Sequence, residues 1–264
     1  MEAICRDLNA EHEALEAVLE KLDEPQWQTM TPSPGWNIKD QVRHLAYFDE
    51  RAALSATNTS KFNRHLEEAF GDFEGWAKVL DEVGRDLSTE ALMAWWRKER
   101  KKMLDAYAAL DPKTRLPWYG LPMSALSSAT ARLMETWAHG QDVFDALRLK
   151  RTYTDRLRHI AFLGVNTFGW TYTNRGLEKP ATAVRVELTA PSGAVWTWGP
   201  ADATNRISGL AEGFCLVVVQ RRHMDDTGLE VIGDVARDWM LKAQCFAGPP
   251  TDGPKPGERV FAPQ

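Results

Sequence analysis

Met134-Glu135-Thr136-Trp137-Ala138-His139-Gly140-Gln141-Asp142 lies inside a run from Ser124 to Leu149 that contains no proline, and that run predicts one long helix. On such a helix Glu135 and His139 stand one turn apart and Asp142 follows one turn later, so the three share a face. Ser128, Ala131, Ala138 and Ala146 flank this polar stripe and leave room around it, while Leu133, Trp137, Gly140, Phe144 and Leu147 form the side expected to pack into a core. A carboxylate and an imidazole at i, i+4 can grip one divalent cation when a third ligand comes from another helix. His44, in Asp40-Gln41-Val42-Arg43-His44-Leu45, is the candidate for that ligand. Spacing alone makes no site, since Asp155 and His159 repeat it in the same chain.

The chain has 264 residues, enough for one large or two modest domains, and two are expected. Its net charge is −5 and its basic residues are dispersed, which argues against a nucleic-acid groove or an anionic membrane surface and for a small-molecule partner. Cys5, Cys215 and Cys245 are far apart and form no CxxC pair, so a disulfide framework is not indicated and a reducing cytoplasm is expected. No signal peptide or membrane-length apolar run is evident. Most of the eleven tryptophans are expected in the core, with a few available to line a pocket.

Apolar recurrence at Ile4, Leu8, Leu15, Val18 and Leu22 predicts a first amphipathic helix, on which His12, among charged neighbours, is expected at the surface. Asn37 is the expected cap of a second helix, with His44 on the flank of its Ile38, Val42, Leu45 stripe. Further helices are expected over residues 61–83, interrupted by Gly71 and Gly75, over 88–110, and over 154–173, with a connector from Pro112 to Pro122. His65 reads as a surface residue. After Gly176 the texture changes to alternation: residues 182–189 and 194–198 read as strands, 206–209 as a third short strand, and 210–222 and 234–246 as helices. The expected fold is α+β, a helical bundle over residues 1–178 followed by a small α+β domain over 179–264 with a loosely held tail.

Trp36 before a helix carrying His44, then Glu135-xxx-His139-xx-Asp142, then a small α+β unit, resembles the mycothiol-dependent maleylpyruvate isomerase family over nearly the whole chain. The resemblance implies a DinB-like four-helix metal-binding bundle and a sterol-carrier-like C-terminal domain. It implies His44, Glu135 and His139 as metal ligands, with Asp142 as a group that orients a ligand or bound water. It implies an arginine near the end of the C-terminal unit's first helix reaching a substrate carboxylate, a role open to Arg221 or Arg222. In the family a glycine usually precedes that arginine; here the residue is Gln220. Two histidines and one carboxylate with an open position suit zinc, and also nickel, iron or cobalt. The expected activity is that of a divalent-metal-dependent isomerase or transferase, using a low-molecular-weight thiol such as mycothiol on a small acidic electrophile. Metal-assisted hydrolysis and non-catalytic small-molecule binding are the alternatives, and a monomer or a homodimer is expected.

Overall fold

The computed structural model describes residues 1–260. By contacts the chain divides into two compact units, Met1–Leu147 and Arg148–Gln264.

The first unit is helical. Its elements in order are α1 (Glu2–Leu19), α2 (Glu24–Trp27), α3 (Ile38–Thr57), α4 (Thr59–Gly71), α5 (Phe73–Glu82), α6 (Thr89–Ala108), the two-residue strands β1 (Arg115–Leu116) and β2 (Met123–Ser124), and α7 (Ala125–Ala146). Long helices pack in register with their apolar stripes: α3 against α6 and α7, and α1 against α7 and α6. The core between them holds Leu15, Leu19, Trp27, Ile38, Val42, Leu45, Leu92, Trp96 and Val143. Each large apolar side chain buried this fully contributes about 1.5–3 kcal/mol by removal from water.

The helix starts follow their capping chemistry. Asn37 closes a capping box with Asp40, each side chain accepting from the other's backbone N–H. Ser88 and Ser124 cap α6 and α7 by accepting from Ala91 and Ser127. The expected helix over 61–83 is two helices, because the Asp72 side chain accepts from the Gly75 N–H at 2.9 Å and starts a new one. An added Cβ at 75 would stand 2.1 Å from Asp72 Oδ2, so a larger residue there would require the capping carboxylate to shift. Within the 112–122 connector, β1 pairs antiparallel with β2 in a small hairpin, Leu116 opposite Met123.

The second unit carries α8 (Leu157–Asn166), α9 (Phe168–Thr173), β3 (Val184–Thr189), β4 (Val195–Trp198), β5 (Asn205–Leu210), α10 (Ala211–Val218), β6 (Glu230–Ile232) and α11 (Asp234–Lys242). The sheet order is β4-β3-β5-β6, with β3 and β5 parallel and the outer pairs antiparallel. Val186, Leu188, Trp196 and Ile207 turn inward in the alternation that the sequence predicts. The expected helix over 154–173 breaks at Thr167, whose hydroxyl donates to the carbonyls of Leu163 and Gly164. Strand β6, three residues long, carried no readable period.

The division at Leu147 puts α8 and α9 with the sheet, whereas the sequence texture suggested a boundary near 178. Gly164 on α8 is the physical reason: a Cβ there would lie 2.9–3.0 Å from Val218 and Phe214 of α10, so the two helices meet at van der Waals distance. The change of texture marks where strands begin, and the α8–α10 packing sets where the contacts divide.

Candidate metal centre

His44 comes from the second turn of α3, and Glu135 and His139 from successive turns of α7, two helices packed directly on one another. Each offers one donor atom, and the three atoms lie within 4.8 Å of one another. Glu135 Oε2 is 3.2 Å from His139 Nε2 and 3.4 Å from His44 Nε2. Those separations match the edge of a tetrahedron built on metal–ligand bonds of about 2.0–2.1 Å, which is roughly 3.3–3.4 Å. All three side chains are partly exposed, at 21%, 24% and 11% for His44, Glu135 and His139.

The orientation of His139 follows from a chain of hydrogen bonds. Thr31 Oγ1 donates its single proton to the carbonyl of Trp36 at 2.8 Å, so toward Gln41 it can only accept, and Gln41 Nε2 donates to it at 2.8 Å. Gln41 therefore turns its carbonyl oxygen to His139 Nδ1, 2.5 Å away. In a neutral His139 the proton sits on Nδ1 and the Nε2 lone pair faces the Glu135 carboxylate. A divalent cation placed between that lone pair and the carboxylate, 3.2 Å apart, would be bound by both. The residues present thus fit a divalent metal.

Protonation states agree with this donor set. Burial pushes the His44 imidazole down to about 4, and the neighbouring His139 adds to the shift against an opposing pull from Glu135. Burial alone raises the Glu135 carboxyl, but the hydrogen bonds and charges of His139 and His44 more than reverse it and hold it well below the usual carboxylate range.

Asp142, which the spacing placed on the same stripe, is fully buried and accepts from Ser33 Oγ at 3.0 Å. Ser33 N donates in turn to Thr31 Oγ1, so Asp142 joins α7 to the 31–36 loop from which Gln41 is held. Arg221 and Arg222 belong to the second unit, just past α10. Their backbone N–H groups both donate to Leu216 O, at 2.7 and 3.2 Å, and Gln220 before them takes φ +57°. That is the left-handed turn a glycine would favour, here held by Gln220 Nε2 donating to Ala243 O and Thr251 O and by Thr251 Oγ1 donating to Gln220 Oε1.

Two features escaped the sequence reading. Gln41 lies on the buried stripe of α3 with Ile38, Val42 and Leu45, and a polar residue on an apolar stripe was the available signal. His12 is fully buried, not at the surface. It falls on the same face of α1 as Ile4, Leu8 and Leu15, and packs edge-on against Trp96 with Nε2 3.8 Å from Asp49 Oδ2. Asp49 in turn accepts from Arg132 Nε at 3.0 Å and Trp96 Nε1 at 3.1 Å, a buried charge pair just beneath the metal-site turns of α3 and α7.

Several known proteins resemble this chain. The family model described as mycothiol maleylpyruvate isomerase N-terminal domain matches residues 8–144, and one described as wyosine base formation matches residues 180–230. An uncharacterized protein of Mycobacterium tuberculosis strain H37Rv is 41% identical over 250 residues, covering 94% of this chain and 96% of that protein, and its counterpart in strain CDC 1551 matches equally. Crystal structures of the mycothiol-dependent maleylpyruvate isomerase and of a histidine-to-alanine mutant align with TM-scores of 0.52 and 0.53 at 17% identity, over 87% of this chain and 92% of those chains. At that identity the likeness is one of fold.

Proposed function

Since this chain belongs to the mycothiol maleylpyruvate isomerase N-terminal domain family, we propose that it is a metal-dependent enzyme in which His44, Glu135 and His139 hold one divalent cation, zinc first among the candidates, and a low-molecular-weight thiol is the cosubstrate. The observation that carries this reading is the convergence of one donor atom each from His44, Glu135 and His139 within 4.8 Å of one another. The bound cation would keep a free coordination position and stabilise a thiolate over a thiol near neutral pH.

The protein's own residues have separate tasks. Glu135 brings the negative charge, and burial keeps His44 neutral and able to donate its lone pair. Gln41 fixes the tautomer of His139. Trp36 lies nearly parallel to the His139 ring at 5.9 Å and tilted against His44 at 5.2 Å, shielding the imidazole faces from water. Cys5, Cys215 and Cys245 are buried, and burial raises the thiols of Cys5 and Cys215, so an external thiol is the natural nucleophile. In the second unit, Arg221 or Arg222 is the proposed anchor for a substrate carboxylate. The reaction is isomerisation or S-transfer on a small electrophile, and the reducing state that the free thiols favour fits the cytoplasm.

Metal content and turnover test the proposal together. Native protein should carry one divalent ion and convert an unsaturated oxo acid only when thiol is added, and His139→Ala should lose both metal and turnover. Metal-dependent turnover without thiol would replace this reading with hydrolysis.

A further inference from the structure

A continuous aromatic surface runs outward from the metal-site turn of α3. Phe48, one turn beyond His44 on the same face, packs against the His44 ring at 4.6 Å. Its other neighbours are Tyr119 at 5.6 Å and Trp118 at 6.3 Å, both from the connector between β1 and β2. These three rings are partly exposed, whereas ordinary core aromatics in this chain, such as Trp96, Tyr107 and Phe62, are fully covered.

A second layer fixes them from behind. Phe62 of α4 stacks on Trp118 at 5.8 Å with 5° between planes, and Trp76 of α5 stacks on Tyr119 at 5.0 Å. Ser55 Oγ donates to Pro117 O at 2.7 Å, tying the connector to α3. The polar end of Tyr119 is engaged by His65 Nε2 at 2.7 Å, and its ring also packs against Trp118 at 5.2 Å and Phe62 at 5.6 Å, which holds it in place. The nearby cation Arg51 sits over the Tyr47 ring and pairs with Glu50, and Arg132 is committed to Asp49.

We propose that Phe48, Trp118 and Tyr119 form the substrate-body wall of the metal site, so that the electrophile this enzyme takes carries a flat, apolar, conjugated or aromatic group. The inference rests on the metal-dependent reading above. A rigid, prebuilt aromatic face beside a ligand costs little ordering entropy on binding and rewards a planar partner through offset or edge-on ring contacts. It gives a charged, strongly hydrated substrate body nothing to replace its water.

The test uses the full chain loaded with cobalt(II) and ethanethiol, titrated with two unreactive carboxylate probes, 3-phenylpropanoate and butanoate, through their perturbation of the sulfur-to-cobalt absorption band. The aryl probe is expected to bind about ten-fold more tightly, equivalent to about 1.4 kcal/mol. Phe48→Leu and Trp118→Leu keep apolar bulk against His44 and Phe62, and each is expected to remove most of that preference while cobalt affinity stays unchanged. Equal binding of the two probes to cobalt-loaded protein, or a preference untouched by both variants, overturns the wall and leaves the metal site standing. Failure of the protein to bind cobalt at all overturns the metal reading, and the wall with it.

Discussion

His139 owes its readiness as a ligand to a glutamine that neither touches the proposed cation nor stands out in the sequence. Gln41→Leu should remove the acceptor for Nδ1 and lower metal affinity by about 10–100-fold, while Gln41→Glu, which can still accept that proton, should retain most of it. Titration with zinc against a chromophoric chelator reads the difference, and equal affinities for the two variants would remove Gln41 from the account. The clustering of His44 with Glu135 and His139 was legible only in part: the i, i+4 pair suggested it, but Asp155 and His159 share that spacing, and the family resemblance was needed to single out these three. Gln41 was not legible, because its role depends on Thr31 and on a loop whose path no periodicity encodes. His12 was misread for a related reason: its charged neighbours in sequence suggested solvent, while its place on the Ile4, Leu8, Leu15 stripe put it in the core.

The burial of His12 has a pH consequence. Burial, helped by the charges of Arg100 and Arg132, pushes its imidazole well below its ordinary 6.5, against the pull of Asp49 3.8 Å away. The unfolded chain therefore binds a proton there that the folded chain refuses, and stability contributed by the neutral ring is lost as pH falls below about 6.5. His12→Phe keeps the edge-on packing on Trp96 and removes the titration. Thermal melts at about pH 7.5 and about pH 5.5 should show the native protein losing more stability on acidification than the variant. Parallel losses would mean that other groups carry the acid sensitivity.

At the level of elements, capping chemistry was the most readable signal and close packing the least. Asn37 announced α3 in the sequence as its cap, while α6 and α7 were expected from about Ser88 and Ser124, which the structure shows to be their caps. The breaks at Asp72 and Thr167 arise from single side chains bonding backbone groups, which competes with a helix without disturbing its apolar period. Gly164 is the packing counterpart. Gly164→Ala should force its methyl into Val218 and Phe214 and cost about 1–3 kcal/mol, despite the better helix propensity of alanine. Chemical denaturation measures this; an alanine variant as stable as the native protein would mean that α8 and α10 can part without cost. Gln220 sits at a left-handed turn for which its side-chain bonds to Ala243 and Thr251 compensate. Gln220→Ala, which keeps the strained φ and loses those bonds, should therefore destabilise more than Gln220→Gly in the same denaturation series.

For the whole molecule, the order helical unit then α+β unit was readable because helical and strand periods differ, and the sheet order β4-β3-β5-β6 was not, since alternation names a strand without naming its neighbours. Among the described residues no helix is long and apolar enough to cross a membrane. The central claim is that α3 and α7 together hold one cation. Titrating metal-free protein with cobalt(II) and following its visible absorption tests it most directly. The account predicts a tetrahedral-type spectrum saturating at one ion per chain, lost in each of His44→Ala, Glu135→Ala and His139→Ala; no saturable band in the native protein, or the same band in all three variants, would contradict it.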